Sequence, residues 1–411
     1  MAQSFWREWR TPVEFALLIG IAIFLPLREA PKNLLWLAYV VAWFVGRLKQ
    51  RDFGGRPDAM DVLLAGVLIS GVLAAAFAGI RRGDANEWHA ISDILRYGSL
   101  FVLVRRAGYS KTQLVLLFMV LVASCALAEV EALWNWKVVS KRKALELFSV
   151  GHVNHSAIYL CICLGLAAGL LVGMWTNLSV RERTWIASMT LFMLIGLFLG
   201  GSRAAGAMGV LLILAAAVAA TRSLQISKVV WAGALAVIAL AALVGGTSAL
   251  QRQIEWGSQN YTLAQRDLIW NRGLVAWREA PIFGVGMENY GHFDDAQLER
   301  WVQQQGRAYV KAEYAAAPHA HSLYINSLVE RGVAGLAALL AFLGVAGWRL
   351  WNERPGFVGG GAAVTLWFGG VSAWLVTVLI GFANTTLHHE HAMLAMLALA
   401  AAITPPGRRA A

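Results

Sequence analysis

The chain reads as an all-α polytopic membrane protein with about a dozen transmembrane helices and one large outside loop that contains amphipathic helices. Three observations predict this. Of its 411 residues, 58% are hydrophobic and only 14% charged, where a soluble globular chain carries about a quarter charged residues. The apolar residues gather in long runs and do not alternate with polar ones, which argues against a membrane β-barrel. The runs are separated by short basic segments. This composition excludes a soluble enzyme, a disordered chain and a fibrous repeat.

The runs lie near 13–28, 33–48, 61–80, 90–104, 113–132, 155–175, 184–200, 203–221, 229–247, 322–348, 361–383 and 389–404. The fourth is the weakest, since Asp93 and Arg96 interrupt it. The N-terminal MAQSFWREWRTPVEF shows no small-residue cleavage site after its apolar run, so the first span is expected to be a retained anchor. Cys125, Cys161 and Cys163 fall inside apolar runs and are read as small buried hydrophobes.

The short loops set the orientation. Counted from a cytoplasmic N-terminus, the inside segments carry Arg7 and Arg10, then Arg47, Lys49, Arg51 and Arg56, then Arg105, Arg106 and Lys111. Arg181 and Arg183, Arg222 and Lys228, Arg349 and Arg354, and Arg408 and Arg409 continue the series. Both termini are therefore expected inside. The outside segment 137–143 is a basic exception. The net charge of +11 is read as topology and as affinity for an anionic partner at the membrane, with no nucleic-acid arm.

Residues 248–321 stand apart as a loop far longer than an ordinary connection, which marks it as functional. It divides the chain into helices 1–9 (1–247), the loop, and helices 10–12 (322–411). Thr262 and Gln265 fit a capping box ahead of Leu263, Trp270, Leu274 and Trp277 at helical spacing, ending at Pro281. A second start at Asp294 or Asp295 leads into Leu298, Trp301 and Val302. Two amphipathic helices on or near the outer leaflet are expected.

The most informative stretch is APHAHSLYINSLVERGVAG, 317–335. Pro318 opens a helix, which places His321 in its first turn where the chain re-enters the membrane. The helix dipole there disfavours an imidazolium and leaves a neutral base. Gly332, three turns on, shares a face with His321, and Gly332 and Gly335 admit a helix or lipid chain. Tyr324, one turn below, is placed to bond a substrate, with His319 beside it.

Arg203 sits among Gly200, Gly201, Ser202, Ala204, Ala205 and Gly206. A permanent cation there either snorkels or meets an anion. In the loop Arg266, Arg272 and Arg278 accompany Trp270 and Trp277, and guanidinium forks suit phosphate oxygens. LHHEH at 387–391 has the wrong spacing for a helical zinc site, so no metal is expected. These histidines cap the last span or neighbour the substrate. Gly284-Val285-Gly286 is too short to signal a nucleotide loop, and no cofactor is implied.

His321-Ser322, nine residues, then Gly332-Val333-Ala334-Gly335 fits H-[NSQ]-x9-G-x-x-G, and this pattern resembles bacterial O-antigen ligases. The preceding loop with Pro281-Ile282-Phe283-Gly284-Val285-Gly286 is similar to the same ligase and polymerase superfamily. The resemblance implies inverting, metal-independent glycosyl transfer on the periplasmic face of the inner membrane. The implied donor is a polysaccharide on undecaprenyl pyrophosphate, and the acceptor is lipid A–core oligosaccharide. Carried over, His321 activates the acceptor hydroxyl, and Arg203 and Arg266 hold the pyrophosphate. The family's R-x3-L reads Arg266-Asp267-Leu268-Ile269-Trp270, with Trp in the last place, so Arg272 or Arg278 stands as an alternative to Arg266. An O-antigen polymerase is the nearest alternative activity. A lipid-linked oligosaccharide flippase or transporter is the alternative of another class.

Overall fold

A computed structural model describes residues 13–80, 88, 90–140, 142, 144–224, 230–244 and 265–403. Among the described residues every regular element is helical. In chain order these are α1 Val13–Phe24, α2 Glu29–Gln50, α3 Ala59–Ala76, α4 Ile91–Ala107, α5 Lys111–Lys137, α6 Val153–Met174, α7 Val180–Gly200 and α8 Arg203–Leu224. A short apolar helix, α9, covers Val230–Val244. Then come α10 Arg266–Glu279, α11 Asp295–Gln304, α12 Leu323–Asn352, α13 Ala362–Leu375 and α14 His389–Ala402.

Seven helices are long and apolar enough to cross a membrane: α3, α5, α6, α7, α8, α12, and α13 with the π-helical turn Val376–Ile380 that continues it. The others fall short by length or charge. The α14 helix has 14 residues and rises only about 21 Å, against a hydrocarbon core of about 30 Å. The α4 helix carries Asp93 and Arg96, and α2 carries Lys32, Arg47 and Lys49.

The central helix is α6, buried along almost its whole length. It packs against α5, α7, α8, α13 and α14. Its apolar residues point in every direction because protein, and not lipid, surrounds it. Small residues allow α13 to come close. A methyl group at Gly165 would meet Ser372, one at Gly169 would meet the Thr365 carbonyl, and one at Gly173 would meet Thr365 again. Three glycines four residues apart give one flat face, as expected where van der Waals contact drives helix association. Cys125, Cys161 and Cys163 are free and buried, as small hydrophobes should be.

At one end of the bundle a charged network ties three helices. Arg105 reaches Asp58 at 2.5 Å and Asp61 at 3.0 Å, Arg106 reaches Asp61 at 2.6 Å, and Arg349 reaches Asp58 at 2.8 Å. The N-terminus of α3 is thus bound to the C-termini of α4 and α12. Each buried charge has an opposite partner, which removes the main cost of burying it.

At the other end, residues 265–322 fold onto themselves. Ile269, Val275, Ala276, Val285, Tyr290, Phe293, Leu298 and Val302 form a core of their own. The two expected amphipathic helices are α10 and α11. The apolar faces of α10 and α11 close against each other and against Tyr290 and Phe293, so neither requires lipid to cover it. The expected capping box falls partly outside the described residues. Thr262 lies outside the described residues, and Gln265 adopts a left-handed conformation with no side-chain cap bond.

The joint between this unit and the bundle is a break in α12. Gly332 has φ 64° and ψ −167°, far from helical values. The segment Pro281–Gly286 enters the break. Val285 N–H donates to Val329 O at 2.9 Å and Gly286 N–H to Glu330 O at 3.2 Å. Beyond the break Val333 N–H donates to Pro281 O at 2.9 Å and Ala334 N–H to Ile282 O at 3.2 Å. Gly79 N–H and Ile80 N–H then donate to Gly284 O and Val285 O from the end of α3. Four backbone groups at the break, Val329 O, Glu330 O, Val333 N–H and Ala334 N–H, are thereby paired, as an apolar setting demands.

The expectation that Gly332 shares a helical face with His321 is corrected by this break, since no continuous helix links them. Gly332 admits the Ile282–Phe283 backbone, and Gly335 admits the Arg331 side chain from its own helix. Gly284, at φ 78°, sits against the Glu330–Arg331 peptide, where no side chain fits. At Gly286 a methyl group would meet Ala78 and Asn289.

Gly332→Ala is expected to cost about 1–3 kcal/mol from the backbone conformation alone, with steric overlap added. Gly344→Ala, on the same helix with open space around it, should be neutral or slightly stabilising. Melting temperatures of the two variants in detergent check this. Equal values would show that the break does not hold the fold.

Candidate functional site

The approach to α12 places His321. Ser322 is the helix N-cap, its Oγ accepting from Ile325 N–H at 3.4 Å, and the first helical residue is Leu323. His321 therefore precedes the cap, with φ 48°. Its expected place in a first helical turn opened by Pro318 is corrected. The reason is local: serine supplies the cap oxygen that proline lacks.

The chain just before His321 is held on several sides. Trp270 of α10 donates its indole N–H to Ala320 O at 2.8 Å. Asn326 Oδ1 accepts from Ala320 N–H at 3.0 Å, and Asn326 donates to Glu330 at 2.9 Å. His321 N–H donates to His319 Nδ1 at 3.2 Å. Leu323 N–H reaches Gly381 O at 2.7 Å and Asn384 O at 3.0 Å. Tyr324 donates its hydroxyl to Val378 O at 2.8 Å, so its proton is committed to the π-helical turn and only its lone pairs remain to meet a ligand.

The His321 imidazole is held below its ordinary pKa, first by burial and next by the positive charge of Arg266, while the neighbouring Asn384 side chain opposes this. Neutrality was expected from the helix dipole. It arises instead from desolvation and a cation. Arg266 is itself lowered, by burial first and by Arg203 second. These couplings link Arg203 to Arg266 and Arg266 to His321. Both arginines are the first residues of their helices, Arg203 of α8 and Arg266 of α10. Each guanidinium is within electrostatic reach of the next charged or titratable group, and a helix N-terminus with an arginine as its first residue favours a phosphate-like anion.

The remaining arginines have other surroundings. Arg272 is buried, bonded to Asp295 at 2.7 Å and to Phe293 O at 2.5 Å, and lies over the Phe293 ring. It ties α10 to α11 inside the loop core. Arg278 is exposed at the far end of α10 and reaches Gln305 at 3.4 Å. Neither shares the surroundings of Arg266, because α10 presents positions 266, 272 and 278 to different neighbours.

Other histidines gather here. His319 lies 4.2 Å from His321 between ring centroids. His155, from the first turn of α6, lies 6.2 Å from His319 and 5.0 Å from His391. It is also 5.9 Å from His152, 6.1 Å from His388 and 5.7 Å from His389. Seven of the nine histidines in the sequence join one cluster fed by α6, the 319–321 segment and the start of α14. Sequence reasoning offered two readings of the LHHEH histidines, as caps of the last span or as neighbours of the substrate, and missed His152 and His155. The available signal was HVNH at the edge of an apolar run. Asn384 and Asn326 left no such signal.

Burial pushes His319 down to about 3, aided by His321, and His388 down to about 4, aided by His389. Both stay neutral in the folded protein at neutral pH. In the unfolded chain these imidazoles bind protons near their ordinary pKa of 6.5, so folding stability is complete above that pH. It is lost as pH falls towards the folded values. The melting temperature in detergent should therefore drop between pH 7 and pH 5, and His319→Gln should flatten the slope. A pH-independent melting temperature in the wild type would contradict the burial of these imidazoles as neutral groups.

Comparison with known proteins fits this geometry. Residues 188–340 match a family model described as O-antigen ligase, and the match supports membership of the O-antigen ligase superfamily. The matched residues include Arg203, Arg266, His321 and Gly332. The chain is also 31% identical over 90 residues to a Haemophilus influenzae protein described only as uncharacterized. That alignment covers 22% of this chain and 21% of the relative, so the chain spans about a fifth of the relative's length.

Proposed function

We propose that this member of the O-antigen ligase superfamily is a glycosyltransferase. It would join undecaprenyl-pyrophosphate-linked O-antigen polysaccharide to lipid A–core oligosaccharide. The observation that carries the reading is the electrostatic chain from Arg203 through Arg266 to His321. An imidazole kept below its ordinary pKa beside one guanidinium, which is itself beside a second, supplies the base and the cations that displacement of a pyrophosphate from an anomeric carbon uses.

In this mechanism the donor pyrophosphate sits at the N-termini of α8 and α10 against Arg203 and Arg266. His321 takes the proton from an acceptor hydroxyl as that oxygen bonds to the anomeric carbon. The anomeric carbon–pyrophosphate bond breaks on the opposite face, with inversion, and undecaprenyl pyrophosphate leaves with the electron pair. The arginines bear the charge that develops on the departing oxygen. Trp270 and Asn326 act as positioning residues, because they fix the peptide that precedes His321. His319 and Tyr324 line the acceptor side. No metal or nucleotide takes part.

The reading includes an orientation. The histidine and arginine end of the bundle faces the periplasm, both termini face the cytoplasm, and twelve helices cross the inner membrane. The basic segments Arg105–Arg106 and Arg349 lie in the network at the opposite end, which supports that assignment through the positive-inside rule.

His321→Ala should lower ligation of purified lipid-linked polysaccharide to lipid A–core by about 10²–10⁴-fold, with the melting temperature little changed. Wild-type ligation by that variant would remove the role of His321. Polymer growth without any lipid A acceptor would assign the site to the polymerase branch.

Arg203→Lys keeps the charge but loses the planar fork. It should reduce turnover about tenfold or more, while a snorkelling role would leave turnover near normal.

A further inference from the structure

The histidine cluster contains a second, separate constellation. Asp93 in the first turn of α4 faces His388 and His389 at the start of α14. One ligand-type atom from each lies within 4.8 Å of the others. Asp93 Oδ2 is 3.8 Å from His388 Nε2 and 3.5 Å from His389 Nδ1. These separations are too long for hydrogen bonds. They match the roughly 3.4 Å between two ligands of a tetrahedral ion bound at about 2.1 Å.

We propose that Asp93, His388 and His389 form a binding site for a divalent transition ion of the zinc class, clasping α4 to α14 beside the His321 site. Two imidazoles and one carboxylate select zinc, cobalt or nickel over magnesium and calcium, whose ions prefer all-oxygen ligation. The other carboxylate oxygen, Asp93 Oδ1, is ion-paired with Arg96 at 3.1 Å. Arg96 thus orients the carboxylate and leaves Oδ2 for the ion, as outer groups do at metal sites. Its positive charge, together with that of Lys32, opposes the ion and limits its affinity.

Glu390 lies between His389 and His391 but is not a ligand. It is buried in an ion pair with Lys32 and faces Ser149. His391 Nε2 donates to Thr385 O at 3.0 Å and lies inside the bundle. His388 Nδ1 is buried without a hydrogen-bond partner, which leaves Nε2, the nitrogen facing Asp93, as the ligand atom. His389 is exposed, which supplies an entry path. Three protein ligands leave a fourth position open.

This site is independent of the transferase reading, so its test avoids activity. Zinc chloride is titrated into the full-length protein, purified in detergent without a histidine tag, and heat and melting temperature are followed. Cobalt absorption serves as a geometry probe. The wild type should bind one ion, gain melting temperature with zinc but not magnesium, and give a tetrahedral cobalt spectrum. Asp93→Asn and His389→Gln should each weaken binding by at least about tenfold. His389→Gln lies at an exposed position and guards against misfolding of the Asp93 variant. Failure of the wild type to bind zinc would overturn the site. So would unchanged affinity in both variants, which would send the ion to the other histidines.

Discussion

A helix that breaks inside a bundle must find partners for the peptides it releases, and this protein's answer governs its whole reactive end. The break at Gly332 exposes carbonyls and N–H groups in a setting where water is scarce. Pro281–Gly286 supplies the missing partners on both sides of the break. The same segment is the exit from α10, so the long loop is fastened to α12 and α3 at one seam. Everything placed by that loop, including Arg266 and the peptide before His321, inherits its position from this exchange of hydrogen bonds.

The seam also explains why glycines recur in PIFGVG and near position 332. Gly284 and Gly332 lie face to face with backbone from the opposite segment. A side chain at either would separate the two chains and leave buried peptides unpaired. These glycines therefore act through architecture. They define how closely α10 can approach α12, and hence the space between Arg266 and His321.

Electrostatically the reactive end is one-sided. Two arginines meet beside imidazoles held neutral by burial, and Asp93 is a rare acid in this neighbourhood. Such an arrangement resists cations near Arg266 and invites anions. It keeps His321 able to accept a proton. The opposite end follows a different rule, with each arginine paired to Asp58 or Asp61. The first end is built to receive charge and the second to cancel its own.

Much of this was legible from composition and spacing. The apolar runs marked the helices because burying about 20 consecutive apolar residues has few solutions; His321 and Arg203 stood out as polar groups at the edges of such runs, and Arg266 as a loop arginine one helical turn from Trp270. The long loop announced itself by length, and its two helices by the period of Trp270, Leu274 and Trp277 and of Leu298 and Val302. That their apolar faces share one core was not legible, since periodicity reports an apolar face without reporting what covers it. Sequence spacing also treated 321–332 as one helix, because a local pattern does not register a loop that will insert fifty residues away. The fold alone joined His155, His388 and His389 to His319, placed Asp93 opposite two imidazoles, and committed Arg272 to Asp295. Those relations depend on contacts between distant segments. Local propensity encodes which residues are polar and where helices run, whereas the pairing of their ends is settled only when buried backbone and charge must all be satisfied together.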